Sequence, residues 1–306
     1  MSDLSVSADF VGTKTRPYQC KVDWQHCMAY AAATADNNER YLDDEREGGI
    51  VAPPLLAIAL TWPIIQHLPN YIEDADFPFH VLKQQVHFTE HLHFFQPIKP
   101  DMELVISGQI VAIQQKKAGV YLLVRFEATN KSNQIVFIEH IGGLLRGVSC
   151  DQDRQIDNMM PTMKREESEN LSSRNANWQK NIYIEPFLPH IYDACGRIHF
   201  PIHTSKKFAR KVGLPDIILH GSATLALAVK SLINQSNEFF NDVLKHYEVI
   251  MIDCQFSGMV LPDTDIKIKL NQIHQTENLV KLDFEVLDQN DNLVIKNGSI
   301  GLSLNF

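Results

Sequence analysis

A helix that is apolar on almost every side, followed by four strand-length runs, occurs twice in this chain. That duplication restricts its possible folds more than any other feature. In the first copy the apolar helix runs roughly from Pro54 to His67, and the strands are read as Gln84–Phe95, Glu103–Ala112, Gly119–Thr129 and Gln134–Leu145. In the second the helix is Ser222–Ile233 (SATLALAVKSLI), followed by Glu248–Phe256, Asp265–Gln272, Asn278–Leu287 and Asn292–Leu302. A further helix precedes each, over Val22–Asp36 and Pro186–Cys195. A helix without a polar face must be enclosed. The strands can enclose it, because they alternate: Ile266, Ile268 and Leu270 fall on one face, and Lys267, Lys269 and Asn271 on the other. Such strands pack one side on a core and turn the other to water. Between the copies, Asp151–Gln179 is dense in Asp, Asn, Ser, Glu and Arg without an apolar period, and reads as a linker. The expected organisation is α+β with an internal duplication: a first domain over 1–150, a linker over 151–179 and a second domain over 180–306.

The length of 306 residues also favours about two domains. A net charge of −9 gives no general attraction to phosphate backbones, so nucleic acid is not an expected partner. The five cysteines are scattered with no CxxC pair, which suits neither a disulfide framework nor a structural zinc site. The first residues, MSDLSVSADFVG, lack the pattern of a signal peptide. The most apolar run, Ile50–Ile65, is too short and too broken by proline to span a bilayer. A cytoplasmic protein is expected. His87, His91 and His93 fall on one face of an alternating strand, but no carboxylate or cysteine completes a ligand set, and no metal is expected.

The chemistry concentrates in Tyr192–Ser222, YDACGRIHFPIHTSKKFARKVGLPDIILHGS. Its Pro-Ile-His and Ile-Leu-His-Gly blocks resemble the signature of the MaoC-like dehydratases, the (R)-specific enoyl-CoA hydratase family. The resemblance is tight over about thirty residues and extends loosely, through the tandem layout, to the whole chain. It implies a double hotdog fold, two curved antiparallel sheets each wrapped around a central helix. It also implies a hydro-lyase of fatty acid metabolism, an enoyl-CoA hydratase or 3-hydroxyacyl-thioester dehydratase, acting on acyl-CoA or an acyl-carrier thioester. No cofactor is implied, and a homodimer is common enough to suspect. Hydration needs a group that takes a proton from water and one that supplies a proton at C2, work suited to a His and a carboxylate held together. Charge on the thioester oxygen needs backbone N–H donors. By the resemblance His203 is the catalytic histidine, Gly221 the oxyanion donor and Ser222 a neighbouring hydroxyl. Tyr192 holds the family's tyrosine position, eleven residues before His203.

The departure from the pattern matters as much as the match. In that register Ile198 stands where the family has its catalytic Asp, and Phe200 where it has Asn. His199 is one candidate replacement for the missing acid, with Asp193 and Arg197 as weaker ones. Lys206, Lys207, Arg210 and Lys211 form a basic cluster that suits CoA phosphates, or merely a solvated helix face. The first half carries a fainter copy, TADNNERY, in which Asp36 and Asn38 keep their positions and Tyr41 replaces the histidine. Pro53-Pro54 stand where the second half has His220-Gly221, and a proline has no N–H to offer. The first half is therefore read as degenerate and substrate-shaping, with Asp36 and His203 too far apart to form one site. The competing reading is a non-catalytic acyl-thioester-binding or scaffold protein. A hotdog thioesterase is weaker, since Ser222–Ile233 carries no carboxylate to activate water.

Overall fold

The computed structural model describes residues 4–74, 76–161, 172–240 and 248–304. The first half contains a short strand β1 (Tyr18–Lys21), helices α1 (Trp24–Ala33) and α2 (Leu56–Gln66), and strands β2 (Gln85–Phe94), β3 (Glu103–Lys116), β4 (Gly119–Asn130) and β5 (Ile135–Arg146). The second half contains β6 (Ser172–Ile184), α3 (Leu188–Gly196), α4 (Lys206–Lys211), α5 (Gly221–Phe240), β7 (Glu248–Phe256), β8 (Thr264–Gln275), β9 (Leu279–Asp288) and β10 (Leu293–Ser303). Each central helix starts within two residues of its sequence-read position, and α5 extends beyond Ile233. Among the described residues no helix is long and apolar enough to cross a membrane.

All these strands join in one sheet of order β1-β3-β4-β5-β2-β7-β10-β9-β8-β6, to which the short strand Arg154–Gln155 adds at β3. Counted outward from the centre, both halves follow the same order, so the chain has an internal pseudo-two-fold relation. The two halves meet where β2 pairs antiparallel with β7, from Met251 opposite His93 to Gln255 opposite Thr89. Both central helices lie buried: Leu56, Ala57, Ile58 and Ile64 in α2, and Ala223, Leu225, Ala228 and Leu232 in α5. They belong to one contiguous apolar core that also contains Ile266, Ile268 and Leu270 of β8. Alanines at the helix surface allow the close approach to the strands that a continuous core needs.

Two sequence readings change. The strand β6 begins inside the segment read as linker, pairing along β8 from Thr264 opposite Ile184 to Gln275 opposite Ser172. It is an outermost strand, mostly exposed, so it carries the polar residues that edge strands use against aggregation and shows no apolar period. The three histidines of β2 do not share a face. A register shift between His87 and Thr89 turns His87 inward, against Glu90 (3.0 Å) and the ring of Phe256. His91 instead meets Asp253 at 2.8 Å, and His93 stacks on Phe95. Among the described residues no group of three or more His, Cys, Asp or Glu side chains converges to hold a metal.

Beneath the helices lie two fully buried carboxyl groups, Glu90 of β2 and Glu139 of β5. Glu139 sits beside Glu90 and Thr61, yet no partner reaches either of its oxygens in hydrogen-bonding geometry. Burial pushes both carboxyls well above their ordinary value of 4.5. A carboxyl raised in the folded state contributes stability in full below its unfolded pKa, and that contribution is lost as pH rises toward the folded value. From pH 5 to pH 8, as followed by urea unfolding, the wild-type chain should therefore lose more stability than Glu139→Gln. The difference should be at least about 1.4 kcal/mol, one pKa unit's worth. Parallel pH profiles would show that Glu139 ionises normally in the fold.

Candidate functional site

The second half positions its polar residues through a sharp reversal after α3. Arg197 ends that helix in the left-handed conformation (φ 57°), and the chain turns back through Ile198–Phe200 into a single turn, Pro201–His203. Ser205 then caps α4 by accepting from the Phe208 N–H (3.2 Å). The approach to α5 is fixed by Leu219 N–H donating to Val260 O (2.8 Å), so that Gly221 opens the helix. A side chain at Gly221 would meet the Phe256 ring at 3.1 Å, so the helix start lies tight against β7.

His203 is 9% exposed and its Nδ1 lies 2.8 Å from Ile218 O. A carbonyl only accepts, so Nδ1 carries the proton and Nε2 keeps its lone pair. Burial, aided by the neighbouring His220, pushes the His203 imidazole down to about 3, so it is neutral near pH 7. Its ring stacks on His220, with centroids 3.6 Å apart and planes 21° from parallel. His220 Nε2 donates to Ile198 O (3.0 Å) and lies 3.4 Å from Asp193 Oδ1. His220 Nδ1 is buried without a hydrogen-bond partner. Asp193 also accepts from His199 Nδ1 (2.6 Å) and from the Phe200 N–H (3.3 Å). Burial alone would raise the Asp193 carboxyl; hydrogen bonds from His220, His199 and Phe200 outweigh it and hold the group down at about 2. The Tyr192 hydroxyl, fully buried, shares a 2.6 Å hydrogen bond with Tyr30 of α1 and reaches Ser222.

Asp193, His220 and His203 thus form a layered cluster at the start of α5, with Tyr192 and Ser222 beside it. Ile198, 3% exposed, places an apolar side chain in the turn that leads to this cluster. The carboxylate of the cluster is Asp193, and it meets His220 rather than His203. Sequence reasoning gave Asp193 little weight and passed over His220 as a side chain. Their contact needs the reversal at Arg197, and the one available signal was the His in Ile-Leu-His-Gly. His199 stands on Oδ2 of Asp193 with its side chain 56% exposed. Lys206 and Arg210 face Asp216, at 3.5 and 3.9 Å, while Arg197 pairs with Asp23 at 2.9 Å. The basic cluster is thereby partly neutralised from within.

The first half's copy is assembled elsewhere. Asp36 accepts from Asn234 Nδ2 (3.2 Å) and from the Asn38 N–H (3.2 Å). Asn38 caps the helical turn Glu39–Leu42 by accepting from the Arg40 N–H (3.1 Å), and Tyr41 is buried. None of these partners belongs to the His203 cluster.

Comparisons with known proteins agree with this architecture. Residues 191–286 match the MaoC like domain, and residues 9–139 match the FAS1-like, dehydratase domain region. The second half thus carries a match to a MaoC like domain and the first half a match to a dehydratase region, each over less than half of the chain, on a double hotdog fold. It is 33% identical over 92 residues, 29% of its length, to the fatty acid synthase beta subunit TOXC of Cochliobolus carbonum. The chain spans about 4% of the length of the curated relatives it matches. Its fold is similar to that of a MaoC-like dehydratase from Phytophthora capsici (TM-score 0.76, 16% identity, 97% of this chain and 99% of that one). It is also similar to a Mycobacterium tuberculosis protein with a double hotdog fold (TM-score 0.63, 12% identity, 97% and 96% covered).

A carboxyl held down in the folded state contributes stability above its unfolded pKa and loses it as pH falls through the folded value. Relative to wild type, Asp193→Ala should lose about 2 kcal/mol at pH 7, from a shift of 3.8 to about 2 in a largely buried group. The gap should narrow at pH 3. An equal gap at both pH values in chemical unfolding would assign the loss to packing rather than to charge.

Proposed function

We propose that the second half is a hydro-lyase site that adds water across the 2,3 double bond of an enoyl thioester, or removes it from the 3-hydroxyacyl thioester. This is the reaction type of the (R)-specific enoyl-CoA hydratases. The observation that carries the reading is His203 itself, neutral, buried, its proton fixed on Nδ1 and its Nε2 lone pair free, beside the first residue of α5. In the hydration direction His203 Nε2 takes a proton as the water oxygen bonds to C3. The double-bond electron pair moves toward the thioester, whose oxygen is held by the leading N–H groups of α5 at Gly221 and Ser222. The proton that His203 took from water is then delivered from Nε2 to C2, so that the histidine ends the turnover neutral, as it began. Asp193 and His220 position the reacting ring, Asp193 by its contact with His220 and His220 by its stack on His203. The fatty acid synthase beta subunits among the relatives support an acyl chain carried as a thioester, on CoA or on a carrier. No cofactor takes part in this scheme.

The alternative, a non-catalytic acyl-thioester-binding protein, is favoured by Ile198 alone. Loss of enoyl absorbance on adding the protein to short- and medium-chain trans-2-enoyl-CoAs separates the two. Hydration should be measurable in the wild type, fall at least about 100-fold in His203→Ala, and fall by a smaller factor in His220→Gln, which removes only the stack that positions His203. Ile198→Asp should raise the rate. No hydration in the wild type or in Ile198→Asp, with saturated acyl-CoA still bound, would establish the binding role.

A further inference from the structure

The pseudo-two-fold relation places an open cleft in the first half at the position equivalent to the His203 site. The relation is exact enough to be followed through single hydrogen bonds: Ala52 N–H donates to Ile98 O at 2.8 Å, as Leu219 N–H donates to Val260 O at 2.8 Å. In that correspondence Tyr41 matches His203, Asn38 matches Phe200, Pro54 matches Gly221 and Phe94 matches Phe256. Among the second members, Phe256 lies against Gly221, and Phe200 meets the Trp62 ring edge to face. Around the first members lies an open cleft of about 530 Å³, a volume in the range that holds small organic ligands.

Both halves line the cleft. Phe94 and Ile98 from the first half, with Ile233, Val249 and Leu302 from the second, make an apolar wall. Asn38, Gln96 and Asn234 provide amide groups, and Arg40 is engaged with Glu248 across the floor. An apolar wall facing a row of amides suits a ligand with an alkyl part and an amide-bearing part. Catalysis is not available here, because Tyr41 stands in the place of the histidine and Pro54 has no N–H for an oxyanion. Glu39 and Glu248 balance Arg40 and Arg46 in the lining, and the loop that carries Arg46 adds the exposed Asp43, Asp44, Glu45 and Glu47. That charge opposes a polyanionic head group.

We propose that this cleft is a second, non-catalytic binding site for the acyl-pantetheine arm of a thioester, taken without the nucleotide of CoA. The ligand class rests on the reading of the second half as an acyl-thioester site; the location of the cleft does not. The site would hold substrate or product on the same chain as the reacting His203.

Calorimetric titration of the full chain with hexanoyl-pantetheine, a saturated thioester that cannot be hydrated, tests this. Binding should persist in His203→Ala within twofold of wild type. It should weaken at least tenfold in Ile233→Trp or Val249→Trp, whichever keeps the wild-type circular dichroism and melting curve, since each puts an indole into the cleft. Hexanoyl-CoA should bind the His203→Ala protein no more tightly than hexanoyl-pantetheine. The proposal is overturned if the wild type does not bind the probe, if a folded tryptophan variant binds it unchanged, or if His203→Ala abolishes binding. It is equally overturned if hexanoyl-CoA binds the His203→Ala protein more tightly. Enoyl-CoA hydration is read separately, so absent hydration with cleft binding retained would sink the hydro-lyase reading alone.

Discussion

Antiparallel pairing of β2 with β7 is the contact on which the rest of this molecule depends. Each half of the chain has an apolar helix that its own strands cover only in part, and the shared edge turns two incomplete sheets into one. Through it α2 and α5 come to lie in a common core, and residues of each half line the pockets of the other. An unpaired β2 or β7 would expose a row of backbone donors and acceptors, an outcome that the pairing removes. The pairing also encloses Glu90 and Glu139 within the core, where an ionised carboxylate is costly.

The second half illustrates how a site can keep its geometry while its residues are redistributed. His203 is held by the Ile218 carbonyl and by the stack on His220, neither of which involves the Ile198 side chain. The backbone of Ile198 still serves, accepting from His220. A carboxylate reaches the cluster from α3 through Asp193, and its three hydrogen bonds hold it ionised despite burial. In the first half Asp36 is bonded to the Asn38 N–H and the Asn234 amide, and Tyr41 and Pro54 occupy the positions related by the pseudo-two-fold to His203 and Gly221.

Most of the fold was legible in the sequence, because periodicity survives when each strand has one wet face and each central helix has none. Strands such as Thr264–Gln275 alternate in burial along the face read from Ile266, Ile268 and Leu270. The edge strand Ser172–Ile184 was not legible: a strand at the rim needs no apolar period, and its polar residues look like a linker. The inward turn of His87 was hidden for a different reason, since a single-residue bulge reverses every face assignment on one side of it and leaves no mark in composition.

By itself the sequence determined the duplication, the class of fold and the two blocks around His203 and Gly221, because local pattern and short-range spacing carry that information. Only the tertiary structure decided that Asp193 pairs with His220 and that the open cleft belongs to the first half. It alone decided that two carboxyls meet in the core. Each of those depends on segments far apart in the chain being brought within a few ångströms by the seam and by the left-handed turn at Arg197. A pattern read along the chain has no term for such distances.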